Sequence, residues 1–304
     1  MSDNAKPLLA VVTGPTASGK TSLAIELALR LHCDIVSADS RQIYRGIPIG
    51  TAAPTQAERE AVRHHMVECF PLDHYYSAAC YENVVVDVLL PELMARDGCA
   101  VLCGGSMMYV DAVVRGIDPL PTISDEVRGY VAELYRTQGI EALRQALRAA
   151  DPEYLATADP ANHRRLMHAL EITLEAGVPA SSLRTGAVKE SPFRVVKIAI
   201  DYSREERFAR INRRVDAMIS AGFEQEARSV YHLRHLNSLN TVGYKEMFAY
   251  FDGDMDRATA IARIAKNTRV YAKKQLTWLA KDASVVRLAP GPDLADRAYS
   301  LLKA

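Results

Sequence analysis

Residues 14–21 read Gly14-Pro15-Thr16-Ala17-Ser18-Gly19-Lys20-Thr21. They match G-x-x-x-x-G-K-[ST], a pattern whose glycines let backbone N–H groups turn toward a phosphate. An apolar run precedes the stretch at 8–12, and residues with helical spacing follow it at 22–28. This order of strand, loop and helix predicts that all eight residues bind a diphosphate or the phosphates of a nucleotide such as ATP. Lys20 would place its charge on the phosphates and Thr21 its hydroxyl on Mg²⁺.

The composition is that of an ordinary globular protein: 304 residues, 49% hydrophobic, 24% charged, with a formal net charge of zero. Any binding of a nucleic acid must therefore depend on local basic patches rather than on the net charge. No apolar run is long enough to span a bilayer, and the first seven residues lack the apolar core of a signal peptide. Five cysteines without CxxC spacing favour reduced thiols. We therefore expect a cytoplasmic protein without a membrane partner.

The hydrophobic pattern predicts an α/β fold, namely a P-loop NTPase-like parallel sheet with helices on both faces and a helical insertion. Strands are predicted at 8–13, 33–37, 100–103, 194–200 and 284–288. Helices are predicted at 20–31, 77–96, 106–115, 125–137, 139–149, 162–176, 204–220, 222–234, 256–281 and 292–302. The core would occupy 1–120 and 191–304, and the insertion 121–190. Because ligands bind outside the carboxyl ends of such strands, the phosphate loop, segment 38–44 and turn 104–106 should converge.

Two polar residues follow predicted strands at that edge. Asp39 could accept a proton from a nucleophile or reach Mg²⁺ through water, although an acid there could also simply cap a turn. Ser106 could contact a phosphate or a reacting group, and an ordinary N-cap role is equally compatible with its position.

Two helices are locally basic. Five arginines lie between 204 and 214, and seven basic residues without an acid lie between 257 and 281. Lys266, Arg269 and Lys273 should share one helix face, which could follow a phosphate backbone or be merely solvated. On the same helix Tyr271 and Trp278 are predicted to face the core. Segment 241–246 reads as a glycine turn whose spacing assigns it no function.

An ordered set of motifs across residues 8–281 resembles the tRNA dimethylallyltransferases, also called tRNA isopentenyltransferases. The motifs are GPTASGKTSLA at 14–24, SADSRQIYRGIPIGTAAPT at 37–55, GGSMMYVDAVVRG at 104–116, PLP at 119–121, NHRRLMHALEI at 162–172, MISAGFEQE at 218–226, VGYKE at 242–246 and RVYAKKQLTWL at 269–279. The chain carries no Cys/His finger after the core, so the resemblance is to the bacterial form of the family.

The resemblance implies a reaction and its partners. A dimethylallyl group would pass from dimethylallyl diphosphate to N6 of the adenosine 3′ of the anticodon, position 37 of the tRNA, giving N6-isopentenyladenosine. Asp39 would hydrogen-bond N6 and take its proton, while Lys20, Thr21 with Mg²⁺ and Arg214 would hold the diphosphate. Ser106 matches a family position that is often threonine, and Arg128 a further site position. The family also suggests a monomer.

The adenosine is stacked in the anticodon loop, so it must be flipped out to reach Asp39. The insertion would grip the anticodon stem. The resemblance assigns tRNA contacts to Asp39, Ser40, Arg41, Gln42, Ser106, Arg128, Asn162, His163, Arg164, Arg165, Leu166, Val242, Gly243, Tyr244 and Lys245.

Three other functions share part of this pattern. A small-molecule P-loop kinase would have the same phosphate loop, but no lid with paired arginines is evident in the sequence. An isopentenyltransferase acting on free AMP, ADP or ATP would resemble the chain around Asp39 but should lack the insertion. A non-catalytic RNA-binding module would need neither Lys20 nor Asp39.

Overall fold

The structure is a computed structural model that describes residues 6–304. The expectation that the chain begins without a signal peptide rests mostly on the first five residues, which lie outside the described range. It divides into two compact units. The first comprises residues up to Val114 together with Glu190–Ala304, and the second is Arg115–Lys189. The insertion predicted at 121–190 overlaps the second unit, and the two flanking core segments overlap the first.

The first unit is built on a six-stranded parallel sheet with the order β3-β2-β4-β1-β5-β6. The strands are β1 (Leu8–Thr13), β2 (Ile35–Ser37), β3 (His64–His65), β4 (Cys99–Gly104), β5 (Arg194–Ile200) and β6 (Val285–Leu288). The five predicted strands are all present. The two-residue edge strand β3 was not predicted, because two histidines carry no alternating apolar pattern.

The helices of the first unit lie around this sheet. They are α1 (Lys20–Leu31), α2 (Pro48–Thr51), α3 (Gln56–Ala61), α4 (Ala78–Val84), α5 (Leu90–Asp97) and α6 (Met107–Val114). After the second unit come α11 (Arg204–Ser220), α12 (Phe223–Ser229), α13 (Tyr244–Phe251), α14 (Arg257–Leu279) and α15 (Leu294–Lys303). A π-helical turn at Val85–Leu89 joins α4 to α5, so the helix predicted at 77–96 is one helical stretch with a local widening.

Burial on both faces explains why β1 is a continuous apolar run. Leu9 and Val11 belong to one core cluster, which includes residues from α4–α6 and α11–α14. Ala10 and Val12 belong to the other, which includes Leu27 of α1. A central strand of a parallel sheet has no solvated face and so shows no alternation of polar residues.

Two expectations for the carboxyl-terminal part are wrong in detail. The helix predicted at 222–234 ends at Ser229, after which the chain forms a 3₁₀ turn at Tyr231–Leu233. Segment 241–246 is not only a glycine turn, since α13 begins at Tyr244 within it. Both differences concern helix ends, where pattern is least informative.

The second unit is helical, with its own apolar core. Its helices are α7 (Asp125–Ala150), α8 (Pro152–Thr157), α9 (His163–Ala176) and α10 (Ala180–Leu183). Gly139 has φ 73° inside α7 and interrupts the helix where the sequence predicts a break between 137 and 139. The buried Asp151 accepts N–H bonds from Tyr154 at 3.0 Å and Ser181 at 2.8 Å, which connects α8 to α10.

Within residues 6–304, no helix combines the length and apolarity needed to cross a membrane.

Candidate active site

The phosphate loop connects β1 to α1. Gly14 and Gly19 have φ values of 149° and 82°, a region that favours glycine. A Cβ on Gly19 would lie 3.2 Å from the guanidinium of Arg210, which would have to shift by a few tenths of an ångström, so the positive φ is the main reason for glycine there. Thr13 and Ser18 carry buried hydroxyl groups that find no hydrogen-bond partner among the described residues. These two hydroxyl groups are therefore available to hydrogen-bond a ligand at the phosphate loop.

Positive side chains surround the outer side of this loop. A pocket there is lined by Ala17, Gly19, Lys20, Thr21, Arg210, Arg213 and Arg214. Arg210 donates from Nε to the Ala17 carbonyl at 2.7 Å, and its guanidinium lies 4.5 Å from the Tyr202 ring centre. Four cations and no acid line the pocket, so its chemistry suits a diphosphate.

Asp39 lies in the loop after β2. Its Oδ1 accepts hydrogen bonds from the N–H groups of Arg41 at 2.9 Å and Gln42 at 3.3 Å. The turn-capping role considered as an alternative is therefore present. Oδ2 makes no hydrogen bond with any described residue, so the carboxylate can cap the turn with one oxygen and accept from a ligand with the other.

The turn after β4 packs against the Asp39 loop. Ser106 Oγ accepts the Ser40 N–H at 2.8 Å, and the Ser106 N–H donates to the Ala38 carbonyl at 3.1 Å. A Cβ on Gly104 would lie 2.1 Å from that carbonyl, so only glycine permits this approach. The Ser106 hydroxyl thus holds the loop on which Asp39 is presented.

These loops open onto one cavity of about 290 Å³. Its lining residues are Thr16, Lys20, Asp39, Ser40, Arg41, Gly50, Thr51, Gly105, Ser106, Arg214, Val215, Met218, Asn240, Thr241, Val242, Lys245, Ile264, Thr268, Tyr271 and Gln275. The predicted convergence of the loops after β1, β2 and β4 is confirmed. The cavity brings Lys20 and Arg214 together with Asp39 and Ser106.

Burial is the main influence on the pKa values of the two cations in this cavity. It lowers the pKa of the Lys20 ammonium, the nearby Arg214 charge lowers it further, and Cys103 and Asp39 oppose this only in part. Burial likewise lowers the pKa of the Arg214 guanidinium, again against the attraction of Asp39. Two partly dehydrated cations near one carboxylate leave an excess of positive charge that a bound anion would stabilise.

One face of α14 forms a wall of the cavity. Ile264, Thr268, Tyr271 and Gln275 lie at i, i+4, i+7 and i+11, so they share a single helix face. Gln275 is buried, accepts the Thr16 N–H at 2.9 Å and donates to the Gly105 carbonyl at 2.8 Å. This stripe was not predicted, because the basic residues dominate the pattern of the same helix, although the i, i+4, i+7, i+11 spacing is visible in the sequence.

The expectation for the two aromatic residues of α14 is half right. Trp278 packs against the core and donates from Nε1 to Asp111 Oδ2 at 2.8 Å. Tyr271 was expected to face the core, but its side chain is 38% exposed and lines the cavity. It shares its face with Gln275, which overlies the phosphate loop rather than the sheet.

The segment 242–246 contributes two residues to the cavity and three to its support. Val242 and Lys245 line the cavity. Gly243 has φ 102°, and its N–H donates to Glu246 Oε2 at 2.7 Å. The side chain of Tyr244 is fully buried, so its expected contact with tRNA is replaced by a structural role.

Tyr244 supports the cavity through Glu226. Its hydroxyl donates to the Glu226 carboxylate, which also accepts the N–H groups of Ile49 and Gly50, each at 2.7 Å. Since Gly50 lines the cavity, this part-buried network fixes one of its walls.

Arg41 and Gln42 are tied into the protein. Arg41 lines the cavity and donates from Nη1 to the Asn237 carbonyl at 2.8 Å. Gln42 does not line it: its Nε2 donates to the Ala52 carbonyl at 2.8 Å and its Oε1 accepts the Ser37 hydroxyl at 3.1 Å. These hydrogen bonds hold the turn, and the tRNA contact expected of Gln42 stays a prediction.

The residues of the second unit that were predicted to contact tRNA differ in their exposure to solvent. Asn162 caps α9 by accepting the Arg165 N–H at 3.3 Å, and His163 stacks on Tyr135 with ring centres 4.8 Å apart. Leu166 is fully buried in the core of this unit, which corrects its assignment as a contact.

Three arginines of the second unit were also expected to bind tRNA. Arg164 and Arg165 are exposed at the start of α9, where their charges are accessible. Arg128 is half-buried in α7 and donates from Nε to the Ile123 carbonyl at 3.3 Å.

Comparison with known proteins points to one family. The model of the IPP transferase family matches residues 42–282. A Porphyromonas gingivalis protein named tRNA dimethylallyltransferase 2 is 50% identical over 285 residues, covering 94% of this chain and 95% of the relative. A Bacteroides thetaiotaomicron protein named tRNA dimethylallyltransferase 1 is 47% identical over 279 residues, covering 92% and 90%.

Solved structures agree in fold. The full-length tRNA isopentenylpyrophosphate transferase of Bacillus halodurans superposes with a TM-score of 0.71 at 33% identity, covering 98% of this chain and 97% of that one. A eukaryotic dimethylallyltransferase acting on tRNA gives a TM-score of 0.77 at 22% identity, covering 93% and 73%. With the sequence relatives matched over nearly their full length, the chain belongs to the tRNA dimethylallyltransferase family.

Proposed function

We propose that this protein transfers the dimethylallyl group of dimethylallyl diphosphate to N6 of the adenosine 3′ of the anticodon in tRNA. The observation that carries this proposal is the cavity in which Asp39 lies together with Lys20 and Arg214. An acceptor of a proton and a cradle for a leaving diphosphate are the two parts that such a transfer requires.

In the proposed reaction, the bond between the allylic carbon and the diphosphate oxygen breaks and a bond to N6 forms. The proton of N6 passes to Asp39, whose Oδ2 is available for it. Lys20, Arg214 and the amides of the phosphate loop stabilise the charge that develops on the leaving diphosphate. With the acceptor adenosine on one side of the allylic carbon and the diphosphate on the other, water would be excluded from that carbon.

Magnesium fits the phosphate loop. The Thr21 hydroxyl lies at the start of α1, and the unpartnered hydroxyls of Thr13 and Ser18 add oxygen donors nearby. Mg²⁺ usually takes few protein ligands and completes its shell with water and substrate phosphates. When bound, it would neutralise charge on the diphosphate oxygens.

The acceptor nucleotide must leave the stack of the anticodon loop to enter the cavity. We assign the cavity residues Ser40, Arg41, Val242 and Lys245 to contacts with the flipped nucleotide and its neighbours. The exposed Arg164 and Arg165 of the second unit are assigned to phosphates of the anticodon stem. Affinity for tRNA should accordingly fall with increasing salt. We also propose that the protein acts in the cytoplasm as a monomer, and that ATP binds the phosphate loop without being a substrate.

The alternatives are less well supported. A small-molecule kinase would explain the phosphate loop but gives no role to the second unit. An enzyme that prenylates free nucleotides would use the same cavity, yet the relatives that match this chain over more than nine-tenths of its length are named for tRNA.

The decisive experiment supplies radiolabelled dimethylallyl diphosphate and Mg²⁺ with unmodified tRNA and with AMP in parallel. We expect label in tRNA only, and loss of that label when the adenosine 3′ of the anticodon is replaced by guanosine. Label in AMP alone would reassign the protein to the free-nucleotide enzymes. Transfer to neither acceptor would reject the proposal.

A further inference from the structure

A second groove lies between α11 and α14, away from the cavity of Asp39. This basic groove has a volume of about 430 Å³ and is lined by Arg204, Arg207, Phe208, Lys266, Arg269, Val270, Lys273 and Leu276. Lys266, Arg269 and Lys273 therefore share one face of α14, as the sequence predicted. At 3.6 residues per turn this face points roughly 180° away from the face that carries Gln275.

The basic groove has the chemistry of a site for an amphiphilic anion. Five cations surround an apolar floor, and no carboxylate lines the groove. The guanidinium groups of Arg204 and Arg269 lie 5.2 Å and 5.5 Å from the ring centre of Phe208. Val270 is 49% exposed, although an apolar side chain on a helix usually packs inward. An anion with an apolar part would satisfy the charges and cover the floor together.

Positive charge continues from the basic groove to the phosphate loop. Arg207 lines the groove, and Arg210, one turn further along α11, lines the pocket beside the phosphate loop. Arg210 is itself fixed to that loop through the Ala17 carbonyl. An anion in the groove is therefore adjacent to a path of cations that leads to Lys20.

We propose that the basic groove binds a prenyl diphosphate as a second, peripheral site from which the donor reaches the phosphate loop. Its diphosphate would lie among Lys266, Lys273 and Arg204, and its prenyl chain on Phe208 and Leu276. The identity of this ligand rests on the proposed function. An RNA backbone would use the charges but leave the apolar floor unfilled, so the groove favours the smaller, amphiphilic anion.

The test is an equilibrium titration with dimethylallyl thiolodiphosphate, in which sulfur replaces the ester oxygen so that transfer is slow. Calorimetry on the full chain without tRNA should resolve a tight site and a weaker one. The double variant Lys266→Gln and Lys273→Gln should weaken the second site about tenfold at low salt and leave the tight one unchanged. The matched control, Arg263→Gln with Lys274→Gln, removes two exposed charges from α14 outside the groove and should change neither.

A second variant tests the apolar floor. Phe208→Ala should weaken binding of the thiolodiphosphate at the second site but not that of inorganic diphosphate, which has no prenyl chain. A single site in the unaltered protein, or equal effects of the groove and control variants, would overturn the proposal. So would weaker tRNA binding by the groove variant with donor binding intact, which would make the groove an RNA contact. Failure of the proposed function would instead appear as absence of transfer in the unaltered protein.

Discussion

Gln275 connects α14 to the phosphate loop by accepting the backbone N–H of Thr16 at 2.9 Å. The same side chain donates to the Gly105 carbonyl at 2.8 Å, so one buried amide holds the loop after β1 beside the turn after β4. The space is tight, since a Cβ on Gly105 would lie 2.5 Å from Gln275 Nε2. Gln275 is thus a positioning residue for the diphosphate site.

Replacing Gln275 by leucine should impair donor binding more than the chemical step. The volume is nearly kept, but the part-buried Thr16 N–H and the buried Gly105 carbonyl lose their partner, at a cost of about 1–3 kcal/mol of stability. We expect a KM for dimethylallyl diphosphate raised about tenfold with a smaller change in kcat. The exposed Gln56→Leu is the control. An unchanged KM in a destabilised Gln275→Leu would reduce the residue to a purely structural role.

Asp39→Asn should separate the two functions of that side chain. The amide oxygen can still accept the N–H groups of Arg41 and Gln42, so the turn should persist, but the amide cannot take up a proton. We expect kcat to fall by about 10²–10⁴ while the Kd for tRNA stays within about twofold. Single-turnover rates and filter binding measure the two quantities. Comparable losses in both would contradict the assignment of Asp39 as base.

Lys20 should give the reaction an alkaline limit. Burial lowers the pKa of its ammonium from the ordinary 10.5, so Lys20 loses its charge at a lower pH than a free lysine. The charged form binds the diphosphate, and kcat/KM for the donor should therefore fall as pH rises through the lowered pKa of the free enzyme. Arginine keeps its charge over this pH range, so the Lys20→Arg variant should not show the alkaline fall in kcat/KM. The same alkaline fall in both proteins would show that another group is responsible.

Gly50→Ala should disturb the cavity wall by steric conflict alone. An added Cβ would lie 2.4 Å from the Tyr244 hydroxyl and 2.5 Å from the Phe223 ring, both in the core. We expect a loss of about 2 kcal/mol or more in the free energy of unfolding, from urea denaturation. Gly129→Ala, in α7 with open space around it, should instead be neutral or stabilising by up to about 1 kcal/mol. Equal stability of the two variants would show that the wall relaxes freely.

Local pattern accounts for the parts of the fold and site that were predicted correctly. The phosphate loop, β1 and α1 follow from a continuous apolar run, two glycines and a helical repeat that are contiguous in the chain. The convergence of the three loops follows from parallel strand order. The roles of Tyr271, Tyr244 and Gln42 could not be predicted. Each depends on which segment, distant in the chain, packs against that side chain in the folded protein.

By itself, the sequence determined the parallel α/β core, the helical insertion, the family and the candidate chemistry of Asp39 and Lys20. These features depend on residues close together along the chain, where backbone geometry and hydrophobic periodicity act directly. Only the tertiary structure decided that Gln275 clamps the phosphate loop and that opposite faces of α14 serve a cavity and a basic groove. A helix repeat shows which residues share a face, but packing against other elements determines what each face contacts.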